Sequence, residues 1–381
     1  MTNRSALDIA RQLTRFRSIT PEDDGAQDYL ISLLKPLGFE IFDLPFEGNG
    51  SYPVKNFLAR RGTSGPHLCF AGHTDVVPPG DESAWSAPPF AGELRGDTLI
   101  GRGTSDMKGN IAAFIAALEN FLQSDAATKS SISLLITGDE EKDAVNGTVR
   151  VLEWMAENNH LPDVCLVGEP SNPDKIGDEL KIGRRGSLTG HLIVRGKQGH
   201  VAYPDRAANP LPRLVAYLDQ MTNFIFDKGS AFFPSSNLEI TTIDVGNTAC
   251  NVIPAKGSAS FNIRFSDRWT PEALEQKIRF MLDGIDPDYE LVFNRGAHSF
   301  LTQPGEWTGL VAGAVEHIVG RRPAMSTGGG TSDARFFAKY CPVVEFGMIN
   351  KTIHQVDECC TVQELEQCTA IYQEILKRYF A

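Results

Sequence analysis

The sequence predicts an α/β protein in which a smaller α+β domain interrupts a larger one. Apolar strands alternate with amphipathic helices over the first part of the chain, a pattern typical of helices packed on a largely parallel sheet. Near residue 183 the order changes to β-α-β-β-α-β, and after residue 294 the first pattern resumes. We therefore predict a discontinuous catalytic domain of 1–182 and 295–381, with a mixed, largely parallel sheet and helices on both faces. A ferredoxin-like α+β domain is predicted over 183–294.

The elements of the first domain follow from apolar spacing and from residues that end helices. The segment 109–122 repeats apolar side chains at helical intervals, for example at Ile111, Phe114 and Leu118. Gly38 is placed to end the second helix. Helices are predicted over 6–16, 26–37, 109–122 and 148–157, and strands over 40–46, 56–60, 67–71, 132–137 and 164–167.

The predicted insertion has its own set of helices and strands. Pro210 lies near the first turn of one helix, and Thr270 caps another that has Pro271 at its first position. After the insertion, a helix over 309–319 and a strand over 343–346 return to the α/β pattern. Within the insertion, strands are predicted over 187–195, 237–245, 258–265 and 289–294, and helices over 209–226 and from residue 271.

Charge and apolar content argue against several classes of protein. The 36 Lys and Arg against 48 Asp and Glu give a net charge of -12, which disfavours a general nucleic-acid or anionic-membrane binder. The longest apolar run, 111–118, has eight residues, whereas a membrane-spanning helix needs about 20. Seven cysteines without a C-x-x-C pair favour reduced thiols, and Asp8 and Arg11 interrupt any signal-peptide core. We expect a cytoplasmic protein without a nucleic-acid or membrane partner.

Acids and histidines follow the predicted strands at the points where those strands end. In open α/β sheets the carboxyl ends of strands meet at one crevice, where ligands bind. Gathered there, these carboxylates would repel one another unless cations were present, and imidazole with carboxylate is a ligand set that suits zinc. The residues are His73, Asp75, Glu140, Glu141 and Glu169, together with Asp106, at the start of a helix after the loop 101–105, and His354, one loop after the strand over 343–346.

A site with two metal ions accounts for this set of residues. Asp75 lies two residues after His73, where it can accept the second ring N–H and fix the tautomer. Glu140 and Glu141 are adjacent, so in extended backbone they point to opposite sides. Glu141 can bind metal while Glu140 acts as general base and acid toward the attacking water. A bound metal ion lowers the pKa of that water. The predicted ligands, with one carboxylate shared between the ions, are His73, Asp106, Glu141, Glu169 and His354.

These segments resemble the dizinc aminoacylase/carboxypeptidase family of amidohydrolases, and the match spans essentially the whole chain. The matching motifs are the segments 72–78, 101–109, 139–141 and 168–170. The resemblance implies that His73 and Glu169 hold one Zn²⁺, that Glu141 and His354 hold the other, and that Asp106 bridges them. Co²⁺ is expected to substitute for Zn²⁺. The resemblance also implies a homodimer formed through the inserted domain, with His200 supporting the oxyanion in the partner's site.

Four further segments, 177–188, 199–204, 250–254 and 328–333, resemble one subfamily. They imply hydrolysis of N-succinyl-LL-2,6-diaminopimelate to succinate and LL-2,6-diaminopimelate, a step of lysine and peptidoglycan biosynthesis. The substrate is a small anionic N-acyl amino acid with three carboxylates, which arginine forks bind well. The candidate arginines are Arg184, Arg185 and Arg264, and the neighbours by family analogy are Ser187, Tyr203, Asn251, Gly330 and Thr331.

Two alternatives remain open from the sequence. An acetylornithine deacetylase, or another N-acyl-amino-acid hydrolase, would share the metal site but need a smaller, less cationic acyl pocket. A non-catalytic, zinc-stabilised binding protein would share the fold, but it would not need a base such as Glu140 beside the metals.

Overall fold

The structure is a computed structural model that describes residues 4–124, 127 and 130–381. The chain forms two compact units. The larger comprises the chain up to Ile182 together with Thr302–Ser326 and Ser332–Ala381, and the smaller comprises Gly183–Leu301 and Thr327–Thr331.

Helices and strands both occur throughout the described part of the chain, and several runs of consecutive strands separate the helices. The helices are α1 (Ala6–Thr14), α2 (Ala26–Leu34), α3 (Lys108–Phe121), α4 (Thr148–Glu157), α5 (Leu211–Thr222), α6 (Pro271–Asp283), α7 (Glu306–Val319), α8 (Ala334–Phe337) and α9 (Val362–Tyr379). The strands are β1 (Glu40–Asp43), β2 (Phe46–Gly48), β3 (Ser51–Val54), β4 (Phe57–Arg61), β5 (His67–His73), β6 (Glu93–Arg95), β7 (Thr98–Ile100), β8 (Ser131–Thr137), β9 (Val164–Val167), β10 (Glu179–Lys181), β11 (Gly183–Arg184), β12 (Gly186–Arg195), β13 (Gly199–His200), β14 (Asn237–Asp244), β15 (Val252–Ile253), β16 (Lys256–Phe265), β17 (Glu290–Ala297), β18 (Phe300–Leu301), β19 (Ala324–Ser326), β20 (Val343–Glu345) and β21 (Cys359–Thr361).

The larger unit is built on a mixed, largely parallel sheet. Its eight strands have the order β1-β4-β8-β5-β9-β20-β10-β19, and the central strands β8, β5, β9 and β20 run parallel. Every residue of β5 and β8 is buried, as strands covered on both faces must be. Because the central strands are parallel, their carboxyl ends share one edge. His73 closes β5 at this edge, opposite Thr137 at the end of β8.

Aromatic packing anchors α3 against this sheet. The rings of Phe70 on β5 and Phe114 on α3 stack with centroids 4.0 Å apart, and Tyr372 of α9 meets both rings edge-on. The Tyr372 hydroxyl donates to the backbone carbonyl of Phe346, 2.8 Å away. Ring pairs of this geometry stabilise beyond the area they bury. The start of α3, which directly follows Asp106 and Met107, is therefore held firmly beside the strand ends.

The smaller unit is an antiparallel four-stranded sheet packed against α5 and α6. Its strand order, β14-β16-β12-β17, is that of a split βαββαβ unit. Side chains from all four strands and both helices form one apolar core, including Leu192, Phe261 and Ile278. The insertion predicted as 183–294 stops short of this unit because β17 continues to Ala297 and β18 pairs with β11.

Some predicted boundaries differ from those observed. The helix predicted over 26–37 ends at Leu34 and is followed by a 3₁₀ turn, Lys35–Leu37. Pro36 explains this, because proline lacks the N–H that an α-helix would need there. Gly38 follows with φ +84°, in the left-handed region that favours glycine. In the described part of the chain no helix is long and apolar enough to cross a membrane. All seven cysteines, which lie in that part, are free.

Candidate metal centre

His73 is the innermost residue of a cluster at the carboxyl edge of the large sheet. Its side chain is buried, with its Nε2 atom 3.3 Å from Asp106 Oδ1 and 3.6 Å from Glu169 Oε1. Its Nδ1 atom lies 2.8 Å from the backbone carbonyl of Asp75, so Nδ1–H donates there and Nε2 is the ligand atom of the neutral ring. Burial lowers the pKa of His73, but Asp106, Asp75 and Glu169 together raise it well above its usual value. The surrounding carboxylates thus favour a positive charge at this position.

His354 approaches the same cluster from the loop before β21. Its Nε2 atom lies 3.4 Å from Asp106 Oδ2 and 3.2 Å from Glu141 Oε1. Hydrogen bonds to Asp106 and Glu141 raise the pKa of His354 to about 10. The residue has φ +61°, a left-handed conformation that is uncommon outside glycine and is often found at functional sites.

Asp106 lies between the two histidines. Its two carboxylate oxygens face different rings, Oδ1 toward His73 and Oδ2 toward His354. Burial raises the pKa of Asp106, but hydrogen bonds from both histidines lower it well below the usual value. A carboxylate with one oxygen toward each histidine has the geometry of a bridging ligand.

The remaining carboxylates complete two groups that could hold a metal ion. In one group, ligand atoms of His73, Glu140 and Glu169 lie within 4.8 Å of one another. In the other, the same holds for His73, Asp106 and Glu141. Burial, followed by repulsion from Glu169, raises the pKa of Glu140 well above its usual value. Glu140, predicted as the base, therefore lies within reach of the same ions as the predicted ligands.

Asp75 is placed differently from the sequence-based expectation. Its backbone carbonyl accepts the His73 Nδ1–H, whereas its carboxylate Oδ1 is 3.6 Å from that nitrogen. The carboxylate instead accepts from the Thr20 hydroxyl at 2.8 Å and from the backbone N–H groups of Glu140 and Glu141 at 3.3 and 3.2 Å. Asp75 therefore fixes the loop that carries the predicted base and one predicted ligand.

One acid near the site was not singled out from the sequence. Asp333, in the glycine-rich segment before α8, is 5% exposed, and its charge adds to those that raise the pKa of Glu140. Burial raises the pKa of Asp333 itself. In the sequence, Asp333 ends a glycine-rich segment that no predicted strand directly precedes, so the strand-end pattern does not single it out.

The predicted substrate-binding residues all belong to the smaller unit. Arg185 and Arg264 lie near each other, since burial and then the charge of Arg185 lower the pKa of Arg264. Arg185 Nη1 donates to Asn237 Oδ1 at 2.9 Å, and its buried Nε has no hydrogen-bond partner in the described part of the chain. Neither arginine forms an ion pair there. Ser187 lies opposite Arg264 in the β12–β16 register.

The other predicted binding residues lie in two places of the smaller unit. His200 on β13 pairs with Val252 of β15, and its ring centroid is 5.6 Å from that of the exposed Tyr203. The backbone carbonyl of Asn251 accepts from the N–H of Val201 at 3.1 Å. Gly330 and Thr331 lie in the separate segment Thr327–Thr331, where Arg184 Nη1 donates to the carbonyl of Gly328.

The sequence matches a known family over most of its length. Residues 69–378 match Peptidase family M20/M25/M40. The chain belongs to this family. Among M20 relatives, "Succinyl-diaminopimelate desuccinylase" of Rhodospirillum centenum is 52% identical over 373 residues, covering 98% of this chain and 97% of the relative. The protein of the same name from Rhodopseudomonas palustris is 51% identical over 382 residues, covering 99% of each.

Solved structures of M20 proteins share the fold. An M20 family metallo-carboxypeptidase of Sulfolobus solfataricus superimposes with a TM-score of 0.82 at 17% identity, covering 99% of each chain. The YXEP protein of Bacillus subtilis, described as a dinuclear metal-binding peptidase of the M20 family, gives 0.72 at 14% identity, covering 97% of this chain and 96% of that one. These similarities confirm the predicted α/β fold with its mixed, largely parallel sheet.

Proposed function

We propose that this chain is a metal-dependent hydrolase that cleaves N-succinyl-LL-2,6-diaminopimelate to succinate and LL-2,6-diaminopimelate, in lysine and peptidoglycan biosynthesis. The observation that carries the proposal is the placement of His73 and His354 on separate oxygens of Asp106, with Glu140 alongside. The names of relatives about half identical over nearly the full length support the substrate.

Two Zn²⁺ ions per subunit fit the donor set. Imidazole nitrogen and carboxylate oxygen are ligands that zinc binds tetrahedrally, and Co²⁺ accepts the same set. His73 and Glu169 would hold one ion, Glu141 and His354 the other, and Asp106 both. The carboxylates around His73 and His354 raise the pKa of both histidines, which supports a site that favours cations. When bound, such ions polarise an amide carbonyl and lower the pKa of water.

Glu140 is the proposed general base and acid. Its carboxylate is buried in one ligand group with His73 and Glu169, so it can accept a proton from the attacking water. The same carboxyl group then returns the proton to the departing amine nitrogen. Asp75 holds the backbone of Glu140 by accepting its N–H, which limits where the base can point.

Arg185 and Arg264 are the proposed partners of the substrate carboxylates, together with Arg184. Burial and then the charge of Arg185 lower the pKa of Arg264, so a bound anion would stabilise the charged form of Arg264. The unpartnered, buried Nε of Arg185 offers a further donor. By family resemblance, the residues that complete the substrate contacts are Ser187, Tyr203, Asn251, Gly330 and Thr331.

Assembly and location are also part of the proposal. By the same resemblance, the chain acts as a cytoplasmic homodimer joined through the smaller unit, with His200 supporting the oxyanion in the partner's site. A His200→Ala variant would then lower turnover without lowering metal content.

Chelator-stripped protein, assayed before and after zinc is restored, tests the proposal with two substrates. Zinc-dependent hydrolysis of N-succinyl-LL-2,6-diaminopimelate, with little hydrolysis of N-acetylornithine, is the expected result. Preference for the acetyl substrate would retain the metal mechanism and overturn the assignment of the arginines. Absence of hydrolysis of both substrates by zinc-loaded protein would overturn the proposed activity and favour a binding role.

A further inference from the structure

A buried ion pair between Arg102 and Glu358 contacts the backbone of Asp106. Arg102 is 2% exposed and Glu358 is 0% exposed. Arg102 Nη1 lies 2.6 Å from Glu358 Oε2. The guanidinium also lies over the Trp85 ring, 5.3 Å from its centroid, and Nη2 is 3.4 Å from the carbonyl of Pro78. Burying two charges is costly and often adds no net stability, so such a pair calls for a role other than packing.

The second oxygen of Glu358 holds the backbone that carries Asp106. Oε1 accepts from the N–H of Ser105 at 3.0 Å and from the N–H of Asp106 at 3.1 Å. Arg102 occupies Oε2, so the carboxylate cannot rotate away from these two donors without breaking its ion pair. Hydrogen bonds to an ionised acceptor are stronger than those to a neutral one. Glu358 therefore fixes the position of Asp106 through its main chain.

The same residue connects this loop with the loop of His354. Glu358 lies four residues after His354 in the sequence. The backbone carbonyl of Glu358 accepts from the N–H of Gly101 at 2.9 Å. Immediately beyond it, β21 pairs with β7, which precedes Gly101. One residue thus joins the two chain segments that supply Asp106 and His354.

We propose that Glu358, with its buried charge balanced by Arg102, is a positioning residue that sets the distance between Asp106 and His354, and thereby the geometry of the metal site. This inference rests on the metal site proposed above. The pair does not touch the site's ligand atoms. It acts through the backbone N–H of Asp106 and through the chain that connects Glu358 to His354.

Two double variants separate the backbone contact from the buried charge. Arg102→Met with Glu358→Gln removes both charges but keeps an oxygen that accepts from Ser105 and Asp106. Arg102→Met with Glu358→Leu removes both charges and that acceptor. A purely structural role of the charges would affect the two double variants alike.

The measurement is titration of chelator-stripped protein with Co²⁺, monitored by visible absorption and by ions bound per chain. We expect the Glu358→Leu double variant to bind Co²⁺ about 10- to 100-fold more weakly, the usual effect of losing a residue that orients a ligand. Its absorption bands should also shift, since they report ligand geometry. The Glu358→Gln double variant should remain close to wild type.

Asp227→Asn in the smaller unit is the matched control. Asp227 is also a carboxylate that accepts two backbone N–H groups, those of Gly229 and Ser236. This variant should lower the unfolding midpoint and leave Co²⁺ binding unchanged. If the Glu358→Leu double variant does not fold, Glu358→Asp takes its place, because it keeps the charge beside Arg102 but withdraws the acceptor.

The possible results are distinct. Wild-type affinity and spectra in the Leu double variant, or in Glu358→Asp where that replaces it, would overturn the positioning role. Equal weakening in both double variants would overturn the assignment to the backbone contact. A wild-type protein that binds no Co²⁺ would instead overturn the metal site itself, so the two failures can be told apart.

Discussion

The carboxylate of Asp75 should matter for turnover through the backbone of Glu140 and Glu141. In Asp75→Asn, one oxygen becomes an NH₂ group. The remaining oxygen can still accept from Thr20 and Glu141, which share Oδ2, but the NH₂ group then faces the N–H of Glu140. Loss of a hydrogen bond to a charged acceptor costs about 1.5–3 kcal/mol. If the whole of this free energy is lost from the positioning of Glu140 in the transition state, kcat/KM decreases about 10- to 150-fold.

Asp139 provides a control with the same number and kinds of donors. It is buried and accepts from one hydroxyl, that of Tyr52, and from two backbone N–H groups, those of Val145 and Asn146. Asp139→Asn removes the same charge but keeps an oxygen for both N–H groups, and the Tyr52 hydroxyl can accept from the new NH₂ group, so turnover should be nearly unchanged.

The assay is hydrolysis of the succinyl substrate at saturating Zn²⁺, with bound metal measured in the same samples. Full activity in Asp75→Asn, or an equal loss in Asp139→Asn, would refute this role of Asp75. A loss of bound metal as the main effect would show instead that Asp75 acts mainly through the predicted ligand Glu141, whose N–H its carboxylate also accepts.

Three further predictions address the base, the arginines and a distant histidine. Glu140→Gln should keep its metal content and lose about 10²- to 10⁴-fold in kcat, the usual contribution of a general base; retained activity would contradict the assignment. Arg264→Met should raise KM for the succinyl substrate about 10- to 150-fold, while the exposed Arg195→Met, on the same sheet, should not; equal KM values would exclude Arg264 from the substrate site. His67 is buried, and burial followed by the charge of Arg60 lowers its pKa to about 4. Since the unfolded chain has the higher pKa and binds the proton first, this residue's contribution to stability is present above about pH 6.5 and is lost as the pH falls toward 4. Relative to His67→Asn, urea unfolding should show a loss of about 3 kcal/mol over this range, and parallel pH profiles would contradict it.

The sequence was sufficient to predict which residues gather at the strand ends, but not how they contact one another. His73, Glu140 and Glu169 follow apolar strands, and parallel strands bring such positions to one edge regardless of loop detail. The acceptor of the His73 Nδ1–H depends on the local turn after β5, which makes the backbone carbonyl of Asp75 closer than its carboxylate. Alternation of apolar residues does not encode that turn.

The sequence also did not predict contacts between residues that are far apart along the chain. Arg102 and Glu358 are 256 residues apart, and each alone has the features of an ordinary surface charge. Short strands such as β7 and β21 were also missed, because three residues are too few to display a period. In both cases the pairing is determined by the tertiary fold, which places the loop of His354 against the loop of Asp106.

Each unit of the chain holds a local cluster of side chains of one charge, and ligands of the opposite charge should stabilise each unit separately. The acidic cluster of the larger unit raises the pKa of its two histidines, His73 and His354, whereas in the smaller unit burial and then the charge of Arg185 lower the pKa of Arg264. A ligand that binds only the folded state adds about 2.7 kcal/mol at a free concentration 100 times its Kd. Zn²⁺ and succinate, the proposed product, should therefore each raise the unfolding midpoint of chelator-stripped protein. Arg264→Met should abolish the effect of succinate and retain that of Zn²⁺, whereas Asp106→Asn should diminish the effect of Zn²⁺. If both variants lost both effects, the separation of the two charged clusters into independent binding sites would be wrong.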